Sequence, residues 1–186
     1  MLPPTFDSWM RILQAVPGSV LWLLQDNPFV LPNLQREAQV RGIDPQRLVF
    51  APRMELDMHL ARHSLADLFL DTLPYNAHTT ASDALWAGLP VLTCAGASFA
   101  GRVAASLLHA VGIPELVTDN PADYEARAIA LAGDSSLLQS IRSKLRAQIA
   151  TAPLFDTQRF ARDIESAYVA MHARSQAGLP PDVIDV

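Results

Sequence analysis

The stretch ADLFLDTLPYNAHTTASDALWAGLPVLTC, residues 66–94, decides the fold. It begins and ends with short apolar runs that favour β-strands. Between them, apolar residues recur at helical spacing until a glycine ends the pattern. The predicted elements are a strand, a loop, a helix and a second strand: Leu68–Leu70, Thr72–Ala77, about Thr79–Ala87 and Pro90–Cys94. This order predicts one βαβ unit, whose two strands run parallel.

The same alternation continues on both sides of this unit. Further strands are predicted at Val20–Leu24, Leu48–Ala51 and Leu116–Thr118. The helices between strands are predicted at Thr5–Val16, Asn33–Arg41, Leu56–His63 and Arg102–Val111. About five parallel strands separated by helices predict an α/β fold of the Rossmann-like, doubly wound class. Extra C-terminal helices follow, at Ala122–Leu131, Ser136–Ile149 and Thr157–Arg174.

Half of the 186 residues are hydrophobic and 18% are charged, a composition that excludes a disordered segment. The net charge of −5 argues against a nucleic-acid partner, which requires a basic surface. The longest uncharged stretch, Ala84–Gly101, is interrupted by glycine and proline, so no membrane span is expected. With no secretory signal visible, and with Cys94 as the single cysteine, a cytoplasmic location is predicted. Trp22 and Trp86 lie in apolar runs and are expected in the core.

Three consecutive polar residues, His78-Thr79-Thr80, lie where the helix of the opening stretch begins. The first backbone N–H groups of a helix have no partner within it, and this end carries partial positive charge, so it can bind anions. Two hydroxyls and an imidazole add donors there, and Asp83 follows one turn later. A phosphate or diphosphate site is therefore one interpretation. The alternative is structural, because Thr80 and Asp83 have the spacing of a capping box, and caps are common.

A second polar group precedes the βαβ unit, in the helix predicted over Leu56–His63. His59 and Arg62 are three residues apart and share a helix face, where they could stack on a base and contact a phosphate or carbonyl. His59 and His63 have a spacing that suits metal ligands, but no third ligand accompanies them, so no metal site is predicted. The alternative is a solvated helix surface, which this spacing alone favours.

Three parts of the chain resemble one known family. They are LADLFLDTLPYNAHTTASDALWAGLPVLT (65–93) with the following GRVAASLL (101–108), VLWLLQDNPFVLPNLQREA (20–38) and LFDTQRFARDIESAYVAMHARSQAGLPP (154–181). All are similar to the C-terminal catalytic lobe of bacterial-type O-linked N-acetylglucosamine transferases. These are the SPINDLY-like glycosyltransferases of family 41, which carry tetratricopeptide repeats. The resemblance covers nearly the whole chain, and the block HTT-x-x-D with DALWAGLPV is specific.

The resemblance implies a two-lobed GT-B enzyme whose C-terminal lobe binds a UDP-sugar donor. Residues 1–150 would form this Rossmann-like lobe. Residues 151–186 would form a C-terminal helix and tail that pack on the lobe or reach toward the N-terminal lobe. The positions that match the donor site are His59, Arg62, His78, Thr79, Thr80 and Asp83. The HTT block would hold the diphosphate, the aspartate the ribose, and the histidine and arginine of the preceding helix would lie near the uracil.

The reaction that the resemblance implies is inverting transfer of N-acetylglucosamine from UDP to a serine or threonine hydroxyl of a protein. The donor is a substrate, and neither a cofactor nor a metal is expected. The acceptor protein would be presented by the N-terminal lobe and the tetratricopeptide repeats, with no nucleic acid or membrane involved. No carboxylate can be named as general base from the sequence, so the catalytic residues stay unassigned.

Some positions depart from the family pattern. The family has a lysine that contacts the diphosphate, in an Asn-x-x-Lys-x-x-Pro stretch ahead of the first helix, and this sequence does not include it. Leu56 stands where animal relatives have lysine, and Tyr75 and Ala77 also differ from the animal pattern. The chain is therefore expected to bind UDP weakly and to transfer nothing alone. The alternatives are another GT-B sugar-nucleotide enzyme and a non-catalytic interaction module.

Overall fold

The computed structural model describes residues 2–186. Up to residue 118, helices and strands alternate: α1 (Pro3–Ala15), β1 (Leu21–Leu24), α2 (Val30–Val40), β2 (Leu48–Ala51), α3 (Leu56–Arg62), β3 (Phe69–Leu70), α4 (Thr79–Trp86), β4 (Val91–Cys94), α5 (Val103–Ala110) and β5 (Val117–Thr118). The helices that follow are α6 (Pro121–Gly133), α7 (Ser135–Ile149) and α8 (Thr157–Gln176). The predicted order of elements is confirmed, and the predicted ends differ from these by three residues at most.

The strands pair in parallel, as the βαβ pattern predicts, but their ladders form two groups. β1 pairs with β2, with Leu21 opposite Leu48. β4 lies between β3 and β5, with Phe69 opposite Val91 and Thr93 opposite Val117. The predicted sheet of about five strands is therefore divided, within the described residues, into ladders of two and three strands.

A single hydrophobic core joins the two ladders and the helices that cover them. All four residues of β4 are buried, as expected of a parallel strand with helices on both faces. Trp9 on α1 donates through Nε1 to the hydroxyl of Tyr124 on α6, at 3.3 Å, inside this core. At the edge of the same contact, Arg11 and Glu125 form an ion pair of 2.6 Å. These contacts hold α1 against α6 and against the end of the sheet that carries the candidate site.

Trp86, predicted in the core, is 53% exposed, so that prediction is wrong. Helix α4 buries Ala81, Ala84 and Leu85, which share one face. Each residue of a helix turns about 100° from the one before, so Trp86 points away from the face that Leu85 buries. Its ring instead packs edge-on against Phe155, with the centroids 5.0 Å apart.

The last helix, α8, buries none of its twenty residues. Its exposed side chains include Phe160, Tyr168 and Val169, each at least 60% exposed. The helix therefore takes little part in the core formed by residues 3–155.

Candidate functional site

The candidate site lies at the carboxyl end of β3, where a loop leads into α4. In open parallel sheets this edge is where ligands bind. His78 occupies the N-cap position, and α4 begins at Thr79 with no side chain capping it. The first backbone N–H groups of the helix are therefore left without a partner inside the helix or a side-chain cap. Thr79 and Thr80 are exposed beside them, which leaves donors of two kinds at this helix end.

The capping box that Thr80 and Asp83 would form is absent from this helix. The reason is that α4 starts one residue before Thr80, which places Thr80 inside the first turn rather than at the cap. From there its side chain cannot take the cap position, whose backbone lies outside the helix. The capping role of this motif is therefore wrong, and the phosphate site stays a prediction.

The imidazole of His78 is held from three sides. Tyr75 stacks on it, with ring centroids 4.7 Å apart and an angle of 19° between the planes. Phe99 meets it edge-on at 6.4 Å. Nε2 lies 3.4 Å from the carbonyl oxygen of Ala100, and because a carbonyl can only accept, Nε2 is the donor in this contact. No pattern in the sequence indicates the contacts from Phe99 and Ala100, since these residues lie in the loop after β4.

That loop, residues 95–102, packs closely on the loop before α4. The N–H of Asn76 donates to the carbonyl of Ala100 at 2.9 Å. A methyl group on Gly101 would lie 3.1 Å from the carbonyl oxygen of Pro74, so any larger residue would have to push the two loops slightly apart. The loop after β4 therefore helps to shape the site.

The second predicted group is a connected cluster on α3. Arg62 donates from Nη1 to the carbonyl of Pro52 at 2.9 Å, and its Nη2 lies 2.7 Å from Nδ1 of His59. An arginine can only donate, so Nδ1 of His59 accepts and Nε2 carries the proton. The guanidinium lies over the ring of Trp22, 5.8 Å from its centroid. Arg62 is thus fixed on three partners rather than solvated.

The imidazole of His59 belongs to this cluster and is also influenced by a charge on α4. Partial burial lowers the pKa of His59, and the charges of Arg62 and His63 lower it further, while Asp83 on α4 raises it. Asp83 is therefore close enough for its charge to reach His59. The structure thus brings the six predicted residues to two neighbouring helix regions, α3 and the start of α4. Their assignment to UDP stays a prediction.

A cavity of about 630 Å³ lies elsewhere, between α1, β1 and the start of α2. Its polar lining consists of Asp26, Asn27 and Asn33, and its other lining residues are apolar. The lining of this cavity has no arginine, lysine or histidine, so the cavity does not suit a diphosphate. The start of α4 remains the better candidate.

Two further observations concern the described residues as a whole. Among residues 2–186, no three histidine, cysteine, aspartate or glutamate side chains come together as metal ligands would. Over the same range, none of the helices combines the length and the apolar character that crossing a membrane requires.

Comparisons with known proteins identify the family. Residues 1–164 match the family model described as glycosyl transferase family 41. The Caenorhabditis elegans protein named UDP-N-acetylglucosamine--peptide N-acetylglucosaminyltransferase is 38% identical over 182 residues, which cover 98% of this chain and 16% of that protein. The Arabidopsis thaliana protein with the same name, marked probable and SEC, is 36% identical over 97% of this chain and 19% of its own length.

A solved structure, a point mutant of Thermobaculum terrenum O-GlcNAc transferase, superposes with a TM-score of 0.86 at 34% identity. The match covers 92% of this chain and 34% of that one. The chain therefore spans less than a fifth of the two relatives and about a third of the solved chain. The family inferred from the HTT-x-x-D block is confirmed: the chain belongs to glycosyl transferase family 41.

Proposed function

We propose that this chain is the donor-binding part of a transferase that moves N-acetylglucosamine from UDP to protein hydroxyl groups. The observation that carries the proposal is the uncapped start of α4, where His78, Thr79 and Thr80 surround free backbone N–H groups. The names of the relatives, which specify UDP-N-acetylglucosamine and a peptide, support the choice of donor and acceptor.

The proposed roles follow from the chemistry of each group. The diphosphate of UDP would accept hydrogen bonds from the N–H groups of α4 and from the hydroxyls of Thr79 and Thr80. Nε2 of His78 would donate to it by exchanging the carbonyl of Ala100 for a phosphate oxygen. Asp83, one turn later, would accept from the ribose hydroxyls. His59, whose Nε2 carries the proton, and Arg62 would contact the uracil, with the tautomer of His59 fixed by Arg62.

In the proposed reaction the acceptor hydroxyl oxygen attacks the anomeric carbon of the sugar from the side opposite UDP. The bond from that carbon to the β-phosphate oxygen breaks, and UDP leaves with the electron pair while the hydroxyl proton passes to a base. Negative charge therefore develops on the diphosphate. Preorganised donors at the helix end stabilise it at the moment of reaction. No residue of this chain is assigned as the base.

Calorimetric titration of the chain with UDP tests the proposal. We expect weak binding, which His78→Ala and Asp83→Ala each reduce by about tenfold or more, as loss of a hydrogen bond to a charged or buried partner does. His109→Ala is the matched control, because His109 is exposed in the last turn of α5 and should leave UDP binding unchanged. Absence of binding at millimolar UDP, or equal binding of ADP and GDP, would contradict the assignment.

A further inference from the structure

Asp71 is a buried acid that the donor-site motifs do not include. It follows β3 directly, and its side chain is 4% exposed. One carboxylate oxygen, Oδ1, accepts from the backbone N–H groups of Thr72 at 2.7 Å and of Ala77 at 2.6 Å. The other, Oδ2, accepts from the hydroxyl of Thr93 on β4 at 2.6 Å. One side chain therefore joins both ends of the loop of residues 72–77 to the sheet.

The backbone of Asp71 is held as firmly as its side chain. Its N–H donates to the carbonyl of Leu92 on β4 at 3.0 Å. Its carbonyl accepts from the hydroxyl of Tyr124 at 3.0 Å, and Tyr124 in turn accepts from Trp9. Helices α1 and α6 thus fix the residue from one side and β4 from the other. Because Asp71 is fixed in this way, its carboxylate also fixes the position of the groups that donate to it.

What the carboxylate holds is the start of the candidate site. The carboxylate accepts a hydrogen bond from the N–H of Ala77, the residue directly before His78. Burying a carboxylate is costly, and burial raises the pKa of Asp71, while the hydrogen bonds from Thr93, Ala77 and Thr72 lower it. No lysine or arginine within residues 2–186 forms an ion pair with it. The hydrogen bond from Thr93 and the two from the loop therefore offset part of the cost of burying the charge.

We propose that Asp71 is a positioning residue: it anchors the loop of residues 72–77 to the sheet and so sets the place of His78, Thr79 and Thr80 for the diphosphate. The proposal rests on the proposed function for its ligand and on the structure alone for the anchor. Because Asp71 acts by holding the loop in place, we expect the shape of its side chain to matter more than its charge.

Two substitutions separate shape from charge. In Asp71→Asn the amide oxygen can still accept from Thr72 and Ala77, and the amide nitrogen can donate to the hydroxyl of Thr93, which also accepts. Asp71→Ala removes the hydrogen bonds to the loop as well as the one to β4. We expect Asp71→Ala to lower UDP affinity about tenfold or more and Asp71→Asn to stay within about threefold of the unchanged chain.

Hydrogen exchange of the ligand-free chain, followed amide by amide, tests the anchor without UDP. The N–H of Ala77 has Asp71 as its acceptor, so it should exchange more slowly than an open loop amide. In Asp71→Ala we expect faster exchange confined to residues 72–80, with β4 and α6 unchanged, and in Asp71→Asn the slow exchange should return. Thr93→Val, which removes the donor to Oδ2 alone, should leave Ala77 slow.

Three outcomes would contradict one of the two proposals. Rapid exchange of Ala77 in the unchanged chain overturns the proposal even where Asp71→Ala does not fold. Equal loss of UDP affinity in Asp71→Ala and Asp71→Asn, with the loop still protected, would show that charge matters and not position. A chain that binds no UDP but keeps the expected exchange pattern contradicts the proposed function and leaves the anchor intact.

Discussion

Arg62 shows how one side chain organises a site through the shape of its charged group. Its planar guanidinium donates in two directions, to Pro52 and to His59, while one face lies over Trp22. A lysine carries a similar charge on a single nitrogen and cannot span the same partners or lie flat on a ring. The role of Arg62 therefore depends on geometry that charge alone does not supply.

Replacing Arg62 by lysine is accordingly expected to destabilise the chain by about 1 kcal/mol, the usual cost of one lost hydrogen bond. Urea unfolding measures the change in the free energy of unfolding. Arg53→Lys is the control, since Arg53 is 76% exposed and forms an ion pair with Asp26 at the surface. A surface pair of this kind contributes little, so the control should change by less than about 0.5 kcal/mol. Equal effects of the two substitutions would contradict the role given to Arg62.

His59 should make the chain less stable as the pH falls, because its surroundings in the folded state disfavour protonation. Burial first, and then the charges of Arg62 and His63, place the folded-state pKa of His59 below its ordinary value of 6.5. The unfolded chain therefore takes up a proton more readily than the folded chain as pH falls through 6.5. Its contribution to stability is complete above that pH and is lost as pH drops through 6.5 toward the folded pKa.

Thermal melting of His59→Gln between pH 7.5 and pH 5 checks this prediction. The variant should lose less stability than the unchanged chain as the pH falls, because it lacks the group that the folded state resists protonating. His172→Gln, at an exposed histidine on α8, should follow the unchanged chain. If both variants have the same pH profile as the unchanged chain, the linkage assigned to His59 is wrong.

At the scale of elements, the site is made by two loops that approach each other at the carboxyl end of the sheet. The loop after β4 contacts the loop before α4 through Ala100 and Gly101, and its Phe99 reaches the ring of His78. The contact depends on the absence of a side chain at Gly101, where an added methyl would meet Pro74, Gly96 and Ser98 at 3.1 to 3.3 Å. The two loops are therefore packed against each other as one unit.

Gly101→Ala should push these loops apart. We expect a loss of about 1 to 3 kcal/mol in the free energy of unfolding, as overpacking causes, and weaker UDP binding because His78 loses its place. Gly133→Ala is the matched control, since an added methyl there meets nothing within 4 Å and the residue ends α6. That variant should be as stable as the unchanged chain or slightly more so, with the same affinity for UDP. Equal affinities for UDP in the two variants would contradict the coupling of the loops.

At the scale of the whole molecule, stability is concentrated in residues 3–155, which contain the core. Helix α8 buries no residue, whereas the segment just before it is packed: Ala152 is buried and Phe155 lies against Trp86. A boundary in stability is therefore expected between Phe155 and the start of α8 at Thr157.

Two truncations test where this boundary lies. Ending the chain after Asp156 should change the free energy of unfolding by no more than about 1 kcal/mol, because little apolar surface is exposed. Ending it after Ala150 should cost about 2 kcal/mol or more, since Trp86 loses Phe155 and Ala152 leaves the core. Denaturant unfolding of both chains gives the comparison, and a large loss on removing α8 alone would show that the helix stabilises the fold.

The sequence by itself determined the order and type of the elements and the family. The apolar runs at Val20–Leu24 and Pro90–Cys94, and the helical spacing after Thr79, depend on neighbours in the chain, which is why they can be recognised locally. The HTT-x-x-D block is also local, since three donors and a carboxylate fall within two turns of one helix. That the strands run parallel follows from the helical connections between them, which are too long for hairpins.

Only the tertiary structure decided what each of these groups touches. The missing cap at Thr80 depends on where α4 starts to within one residue, a precision that propensity lacks. The hydroxyl of Thr93 reaches Asp71 from β4, and the charge of Asp83 reaches His59 from another helix. Such contacts join segments far apart in the sequence, and their energies depend on distances of a few tenths of an ångström. Folding sets those distances, and no pattern along the chain records them.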